Sequence, residues 1–329
     1  MPGLLKKIDD PWGITWRVVR LARGFSLRRS IRFAAGLLMG RQFDRPVFII
    51  GASRSGTTTL SHLLRLSPEL GSLRREGHNL WLAFHHPRYS GWTSDSVGPG
   101  QVRPGERRFV QAYLYSYFPQ HRFVEKTPEN TFRIPYLLDL FPDARFLVLK
   151  RDPCDVLNSL INGWRHPTGR FRLYFLPEDL SIPGYGHRRG WCFTLFDGWR
   201  EFKSSPIPEI AFAQWAEFTR AIAAARDMVP AGQHMEVCFE HLLAGPESTM
   251  RRICEFAQVE FEPVRPFLGE ALARPANPLS PPAPDKWRNE NHLEISQLLP
   301  RIRELAPLIG YEIVRSGGDW AARPVETCP

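Results

Sequence analysis

Short apolar runs recur along the chain and predict the strands of a sheet. The clearest are residues 46–52 (PVFIIGA) and 144–149 (ARFLVL), which are rich in branched and aromatic side chains. Residues 122–125 and 235–239 form two further runs of this kind. Runs without regular polar alternation are typical of parallel strands that are covered on both faces.

Amphipathic segments with helical spacing separate these runs. Strands that alternate with helices predict an α/β fold, in which a central parallel β-sheet is flanked by helices on both faces. Asp152 and Pro153 follow residues 144–149 as a predicted N-cap and first helical residue. The predicted helices cover residues 57–66, 80–84, 109–117, 134–140, 210–228, 246–257 and 293–308.

Three stretches have no regular period. Residues 89–105 are rich in Gly, Pro and Ser and predict a surface loop. Residues 167–189 have an irregular pattern, and we expect that they could cover a substrate cleft. Residues 274–284 contain five prolines and predict a stiff loop.

The composition excludes several classes of protein. The 329 residues are 43% hydrophobic and 23% charged, as in a globular protein with a core and unlike a disordered chain. No run of about 18 apolar residues predicts a membrane-spanning helix, and residues 1–7 lack a secretory signal. The five scattered cysteines argue against a disulfide framework or a zinc site, and they indicate a reducing compartment such as the cytoplasm.

Basic residues concentrate in the first 41 residues, which carry +7 of the chain's net charge of +9. Apolar residues interleave with the arginines, so we predict that residues 1–41 form a basic amphipathic helical arm. Two interpretations stay open: a helix that packs one face on the domain, or a segment that lies peripherally on an anionic membrane surface. No nucleic-acid recognition signature accompanies this charge, so we expect no nucleic-acid partner.

A turn rich in Gly and Ser lies between the first strand and the first helix of the sheet. Its sequence, GASRSGTT at residues 51–58, suits an anion, because small residues let backbone amides approach and a helix N-terminus attracts negative charge. The spacing matches a P-loop, except that Thr57 replaces the lysine that reaches the β- and γ-phosphates of a nucleoside triphosphate. Arg54 supplies positive charge within the loop. The plain alternative is a turn that only caps the helix.

This loop resembles the 5′-phosphosulfate loop of the sulfotransferases that use 3′-phosphoadenosine-5′-phosphosulfate (PAPS). The variant with arginine is similar to the tyrosylprotein and bacterial carbohydrate branches of that superfamily. The resemblance implies a P-loop-like fold, PAPS as cosubstrate and contact between Arg54 and the phosphosulfate. It also implies that the 5′ end is surrounded by Ser55, Gly56, Thr57, Thr58 and Thr59.

Two further segments resemble the 3′-phosphate site of the same superfamily. Arg151 follows the strand at 144–149, and Ser159 lies eight residues later on the next helix, so both can grip one phosphate. The segment Asp-Lys-Trp-Arg at 285–288 resembles the K-W-R segment of bacterial members, which makes Lys286 and Arg288 candidates for closing over that phosphate. Alternatively, Trp287 anchors the loop and both charges are solvated.

Three residues are candidates for the chemistry. Arg54 is one, and Lys126 resembles the K-T-P lysine that stabilises the sulfuryl oxygens in related branches. Glu76 lies where the family has the glutamate that takes the acceptor's proton, although the family often has two adjacent glutamates there. His78 is the rival base. No cluster with metal-ligand spacing occurs, so we expect no metal.

The resemblance runs from residue 46 to about residue 311. We therefore predict a sulfotransferase domain at 42–311, preceded by the arm at 1–41 and followed by a C-terminal tail at 312–329. The predicted activity is transfer of a sulfuryl group from PAPS to a hydroxyl of a glycan, lipid or other small molecule. The alternatives are a P-loop nucleotide kinase-like phosphotransferase and a non-catalytic PAPS-binding module.

Overall fold

Five parallel strands form the centre of the fold. The middle strand, β1 (Val47–Ile50), pairs with β3 (Arg122–Lys126) through Val47 and Val124 and with β4 (Arg145–Lys150) through Val47 and Arg145. The structure is a computed structural model, and it describes residues 17–21, 23–73, 75–273, 284–316 and 319–325. The spatial order of the strands is β2 (Leu70–Gly71), β3 (Arg122–Lys126), β1 (Val47–Ile50), β4 (Arg145–Lys150) and β7 (His234–Cys238).

Alternate side chains of each strand point into two separate hydrophobic cores. Phe48 and Phe146 join the larger core, whereas Ile49 and Leu147 join the smaller one on the other face. A sheet that is apolar on both faces needs helices on both faces to exclude water. The α/β fold with a central parallel sheet between two helical layers, predicted from the sequence, is confirmed.

Helices supply the other side of each core. α2 (Thr57–Leu64), α9 (Pro246–Ala257) and α10 (Leu268–Ala273) contribute to the smaller core. The larger core receives α3 (His78–His85), α4 (Glu106–Tyr117), α5 (Ile134–Leu140), α6 (Pro153–Trp164), α7 (Ile207–Met228) and α12 (His292–Leu305). Shorter helices also lie near the site, namely α8 (Phe239–Ala244) and α11 (Trp287–Glu290).

Two small antiparallel pairs lie outside the central sheet. β5 (Arg172–Phe175) pairs with β6 (Gly190–Cys192). The expectation that residues 167–189 are wholly irregular is therefore wrong, because the partner of β5 lies just beyond that stretch. β8 (Tyr311–Ser316) pairs with β9 (Asp319–Pro324), so this pair lies across the start of the predicted tail.

The predicted basic arm is described in part. Helix α1 (Leu27–Met39) packs on α4, where a Cβ at Gly36 would lie 3.0 Å from the Cα of Ala112. Glycine at that position therefore allows the two helices to approach closely. Residues 1–16, Arg74 and residues 274–283 of the predicted proline-rich loop lie outside the described residues. Among the described helices, none has the length and apolar character needed to cross a membrane.

Candidate active site

The predicted site residues come from three neighbouring strands. The loop at residues 51–56 follows β1, Lys126 ends β3, and Arg151 follows β4. The carboxyl ends of parallel strands lie on one edge of the sheet, and ligands of α/β proteins gather there. The structure thus brings the two phosphate-type motifs and Lys126 to one side of the molecule.

The loop after β1 is held in a conformation that only glycine accepts at two positions. Gly51 has φ 153°, and a Cβ there would lie 2.4 Å from the carbonyl oxygen of Leu149. Gly56 has φ 98°, and a Cβ there would lie 2.7 Å from the ring of Phe239. The hydroxyl of Ser55 donates to the carbonyl of Ala52 at 2.8 Å and tightens the turn.

Gly56 is also the N-cap residue of α2. It has no side chain with which to accept the first amides of the helix, so those N–H groups need another acceptor. Thr57 and Thr58 occupy the first turn, where the helix dipole adds partial positive charge. An anion bound at this turn could accept from those amides.

Arg54 joins the two motifs. Its Nε donates to the hydroxyl of Ser159 at 3.0 Å, and its carbonyl oxygen accepts from Nη1 of Arg151 at 3.4 Å. The guanidinium lies 5.0 Å from the ring centroid of Phe171. Burial first, and then the charges of Arg151 and Arg170, lower the pKa of Arg54 to about 10. An anion placed among these groups would relieve their mutual repulsion.

The second motif is oriented by its own helix. Asp152 is the N-cap of α6, and its side chain accepts from the amides of Cys154 at 2.7 Å and Asp155 at 3.2 Å. The predicted N-cap is therefore confirmed. Arg151 pairs with the Asp155 carboxylate at 3.3 Å and lies over the ring of Phe239 at 5.1 Å.

The segment with Lys286 and Arg288 lies against α6. Trp287 is buried, and Lys286 lies 3.4 Å from Glu290. The same Glu290 accepts from the Asn158 amide at 2.7 Å, next to Ser159 in the chain. Arg288 lies 3.3 Å from Asp285. Trp287 thus anchors the segment, as the alternative interpretation expected. Lys286 and Arg288 are only 20% and 24% exposed and are paired, so its expectation that both charges are solvated is wrong.

Glu76 lies between two cationic groups. Lys126 donates from Nζ to one oxygen of Glu76, and also to the hydroxyl of Thr58 at 2.8 Å. Nε2 of His78 lies 2.6 Å from the other oxygen, and Nδ1 of His78 lies 3.2 Å from Glu129. The partner of Lys126 is therefore Glu76 and not the adjacent Glu125.

These contacts set the charges of the cluster. Burial opposes ionisation of Glu76, but the hydrogen bond from His78 and the charge of Lys126 outweigh it and lower the pKa of Glu76 to about 2. Burial likewise opposes the charge on His78, but Glu129 and Glu76 raise the pKa of His78 to about 10. A protonated imidazole has no lone pair with which to take a further proton, so this charge state disfavours His78 as a base.

Two buried carboxylates that the sequence reasoning missed position this cluster. Glu125 accepts from the amide of Gly77 at 3.1 Å and from the hydroxyl of Thr127 at 2.5 Å. A Cβ on Gly77 would lie 2.8 Å from that carboxylate, so glycine is needed between Glu76 and His78. Glu129 is the second carboxylate, and it holds His78. No local pattern marks either carboxylate, because three of the five residues of β3 are charged and Glu129 lies outside the strand.

Two cavities meet at the cluster. One, of about 260 Å³, is lined by Arg54, Thr57 and Phe171, and the other, of about 630 Å³, by His62, Arg65 and Arg75. His62, which is exposed on α2, lines the larger cavity. The cluster thus has open space on two sides. Both cavities share Thr58, Glu76, His78, Lys126 and Leu173.

The described cysteines are poor candidates for nucleophiles, and the described residues include no cluster of metal ligands. Cys154, Cys192, Cys238 and Cys254 are buried and free. Burial raises the pKa of Cys192 and Cys254 to about 11, so their thiolates are not available as nucleophiles at neutral pH. Within the described ranges, no three His, Cys, Asp or Glu side chains converge as metal ligands.

Comparisons with known proteins identify the family of this chain. The model of the sulfotransferase family matches residues 46–212 and 190–263. The omega-hydroxy-beta-dihydromenaquinone-9 sulfotransferase Stf3 of Mycobacterium bovis is 23% identical over 286 residues, which cover 70% of this chain and 67% of that protein. A putative protein-tyrosine sulfotransferase of Caenorhabditis briggsae is 22% identical over 225 residues, which cover 67% of each.

Among solved structures, sulfotransferase STF9 from Mycobacterium avium has the same fold. It superposes with a TM-score of 0.54 at 18% identity, over 81% of this chain and 77% of that one. The family model spans the loop at 51–56, Glu76, Lys126 and the motif at 151–159. This chain belongs to the sulfotransferase family and is a PAPS-dependent sulfotransferase.

Proposed function

We propose that the enzyme transfers the sulfuryl group of PAPS to a hydroxyl that enters through the larger cavity. In this proposal Glu76 is the base, and Arg54 and Lys126 stabilise the transferring group. One observation carries it: the contact between Lys126 and Glu76 lies where the two cavities meet. Donor and acceptor can therefore approach this pair from different sides.

The groups near the smaller cavity fit the phosphates of PAPS. The amides and hydroxyls of Ser55, Gly56, Thr57, Thr58 and Thr59 would bind the 5′-phosphosulfate at the start of α2. Arg151 and Ser159 would bind the 3′-phosphate, and Lys286 and Arg288 lie on the segment that packs beside them. The hydrogen bond from Arg54 to Ser159 supports one continuous site for both ends of the donor.

The reaction is an in-line displacement at sulfur. The acceptor oxygen forms a bond to sulfur while the bond between sulfur and the 5′-phosphate oxygen breaks, and adenosine 3′,5′-bisphosphate (PAP) leaves. The acceptor proton passes to Glu76. Lys126 would contact the sulfuryl oxygens, and this contact would weaken its hold on Glu76. Loss of that partner raises the pKa of Glu76, so the base strengthens as the donor is bound.

Nucleotide specificity tests the proposal directly. Turnover with labelled PAPS and none with ATP is expected, because Thr57 stands where a nucleoside triphosphatase needs lysine and because a 3′-phosphate site has no use in a kinase. Turnover with ATP and none with PAPS would favour the kinase-like alternative. Retained turnover in both Glu76→Gln and Lys126→Ala would remove these residues from the chemistry.

The acceptor can be found by labelling. Incubation of ³⁵S-labelled PAPS with a lysate of the native host should yield a sulfated glycan, lipid or other small molecule that carries a hydroxyl. The product should be absent with Glu76→Gln and unchanged with Glu178→Gln, a surface carboxylate that pairs with Arg200. PAP binding without any labelled product would support the non-catalytic alternative instead.

A further inference from the structure

Helix α1 has apolar residues on the face that points away from the domain. Leu27, Ile31 and Leu38 have 78%, 61% and 82% of their surface exposed. At about 100° per residue, their spacings of four and seven place them on one line along the helix. Ala34, also exposed, lies on the same line. These four residues form what we call the outer stripe.

The outer stripe takes no part in packing α1 on the domain. Gly36, nine residues after Leu27 and so on the opposite side of the helix, is the buried residue that contacts α4 at Ala112. Phe33 also faces α4, with its ring 5.3 Å from that of Phe109. A helix that only packed on the domain would present polar residues to water, so the outer stripe requires another explanation.

The segment that carries the outer stripe is strongly basic. Residues 17–41 contain seven arginines and no aspartate or glutamate. Arg20, Arg23 and Arg28 are exposed on this segment. Apolar residues flanked by arginine match the boundary between acyl chains and anionic headgroups, where one set of groups inserts and the other binds phosphate.

We propose that α1 docks the protein on the surface of an anionic lipid bilayer. The outer stripe enters the headgroup region, and the arginines bind lipid phosphates. A second copy of this chain is the competing occupant, but a symmetric contact there would bring two clusters of arginine together, and repulsion between them opposes it. The docking does not depend on the identity of the acceptor.

Vesicle binding by the full chain tests the docking. The probes are vesicles of phosphatidylcholine alone and of phosphatidylcholine mixed with phosphatidylglycerol. Wild-type protein should sediment with the mixed vesicles, and the triple variant Leu27→Gln/Ile31→Gln/Leu38→Gln should lose more than about tenfold in partition coefficient. The variant Arg28→Ala should lose about fivefold, and added salt should weaken binding further.

A matched control removes apolar surface elsewhere. Leu293→Gln and Leu243→Gln change leucines that are 73% and 48% exposed on other helices, and vesicle binding should stay at the wild-type level. Equal melting temperatures and PAP affinities show that all variants are folded. The proposal is overturned if wild type does not bind vesicles, if it binds both kinds equally, or if the triple variant binds as well as wild type. It is also overturned if wild type is a dimer and the triple variant is a monomer.

Discussion

Charged residues hold one another in place around Glu76. Lys126 and His78 bind its two oxygens, and Glu129 binds the far side of His78. Each group keeps its charge because its neighbour has the opposite one, which explains why burial does not neutralise them. The proposed base is thus ionised at neutral pH and ready to accept a proton.

Replacement of Glu76 tests its role as the base. Glu76→Gln keeps the size of the side chain and removes the charge, so kcat should fall by about 10²–10⁴-fold while the dissociation constant for PAP stays near the wild-type value. Sulfuryl-transfer assays and isothermal titration calorimetry measure the two quantities. Lys126→Ala should have the same pattern. A kcat within a few-fold of wild type would contradict the assignment.

Replacement of Arg151 tests the 3′-phosphate site. Arg151→Ala removes a charge-assisted contact and should weaken PAP binding by about 2 kcal/mol, or about thirtyfold. Calorimetry with PAP is the measurement. The control is Arg188→Ala, since Arg188 is 81% exposed and pairs with Asp179 at the surface. Equal affinities for the Arg151 variant and wild type would exclude Arg151 from the site.

The pKa of His78 predicts a pH dependence of stability. Its folded-state pKa of about 10 lies above the ordinary value of 6.5, so the folded state binds the proton more tightly. The resulting stabilisation is complete below about pH 6.5 and is lost as the pH rises towards 10. Urea unfolding of wild type and His78→Gln should therefore converge at high pH. His121→Gln, at an exposed position, should keep the wild-type slope.

At the scale of elements, the turn into α2 depends on the glycine at its N-cap. Gly56→Ala should destabilise the protein by about 1–3 kcal/mol and weaken PAP binding, because φ is 98° and the new methyl group meets Phe239. Gly105→Ala is the matched control. Gly105 is the N-cap of α4 with φ 78°, and a methyl group there meets nothing within 4 Å.

Urea unfolding and PAP titration of both glycine variants measure the two effects. The control should lose only the energy of an unfavourable backbone angle, about 1–2 kcal/mol, and should bind PAP normally. Equal losses in the two variants would show that the contact with Phe239 has no influence on the loop.

Elements with local signals were predictable from the sequence. The start of α6 follows from Asp152 and Pro153, and the central strands follow from runs of apolar residues. β5 was missed because its partner lies about fifteen residues further along the chain, and pairing at that distance leaves no local pattern. The role of Glu125 was also out of reach, since it depends on the Gly77 amide, 48 residues away.

In the site too, features with a local sequence signal were predictable and contacts between distant residues were not. The two phosphate-type motifs were found because each resembles a family segment that follows a strand, and the structure brings them together. Contacts between motifs could not be derived, because they depend on how the strands are ordered in the sheet. The hydrogen bond from Arg54 to Ser159 joins residues 105 positions apart. The roles of the individual residues stay predictions.

At the scale of the molecule, the proposed donor site spans loops that follow several strands of one sheet. PAP binding should therefore stabilise the whole domain against unfolding, by about 2.7 kcal/mol at a concentration 100 times the dissociation constant. Thermal unfolding with and without PAP should show an increase in Tm of several degrees, and ATP at the same concentration should give a much smaller one. A shift with ATP equal to that with PAP would contradict the predicted specificity.

The bond from the Gly77 amide to Glu125 has a consequence for engineering. It fastens the backbone beside Glu76 to the strand that ends in Lys126, so the main-chain positions of the two proposed catalytic residues stay together whatever compound enters. Selectivity for the acceptor can then be changed at other residues of the cavities, such as Leu173, which lines both. Libraries that randomise Leu173 and Arg75 should yield enzymes that sulfate new alcohols at an undiminished intrinsic rate.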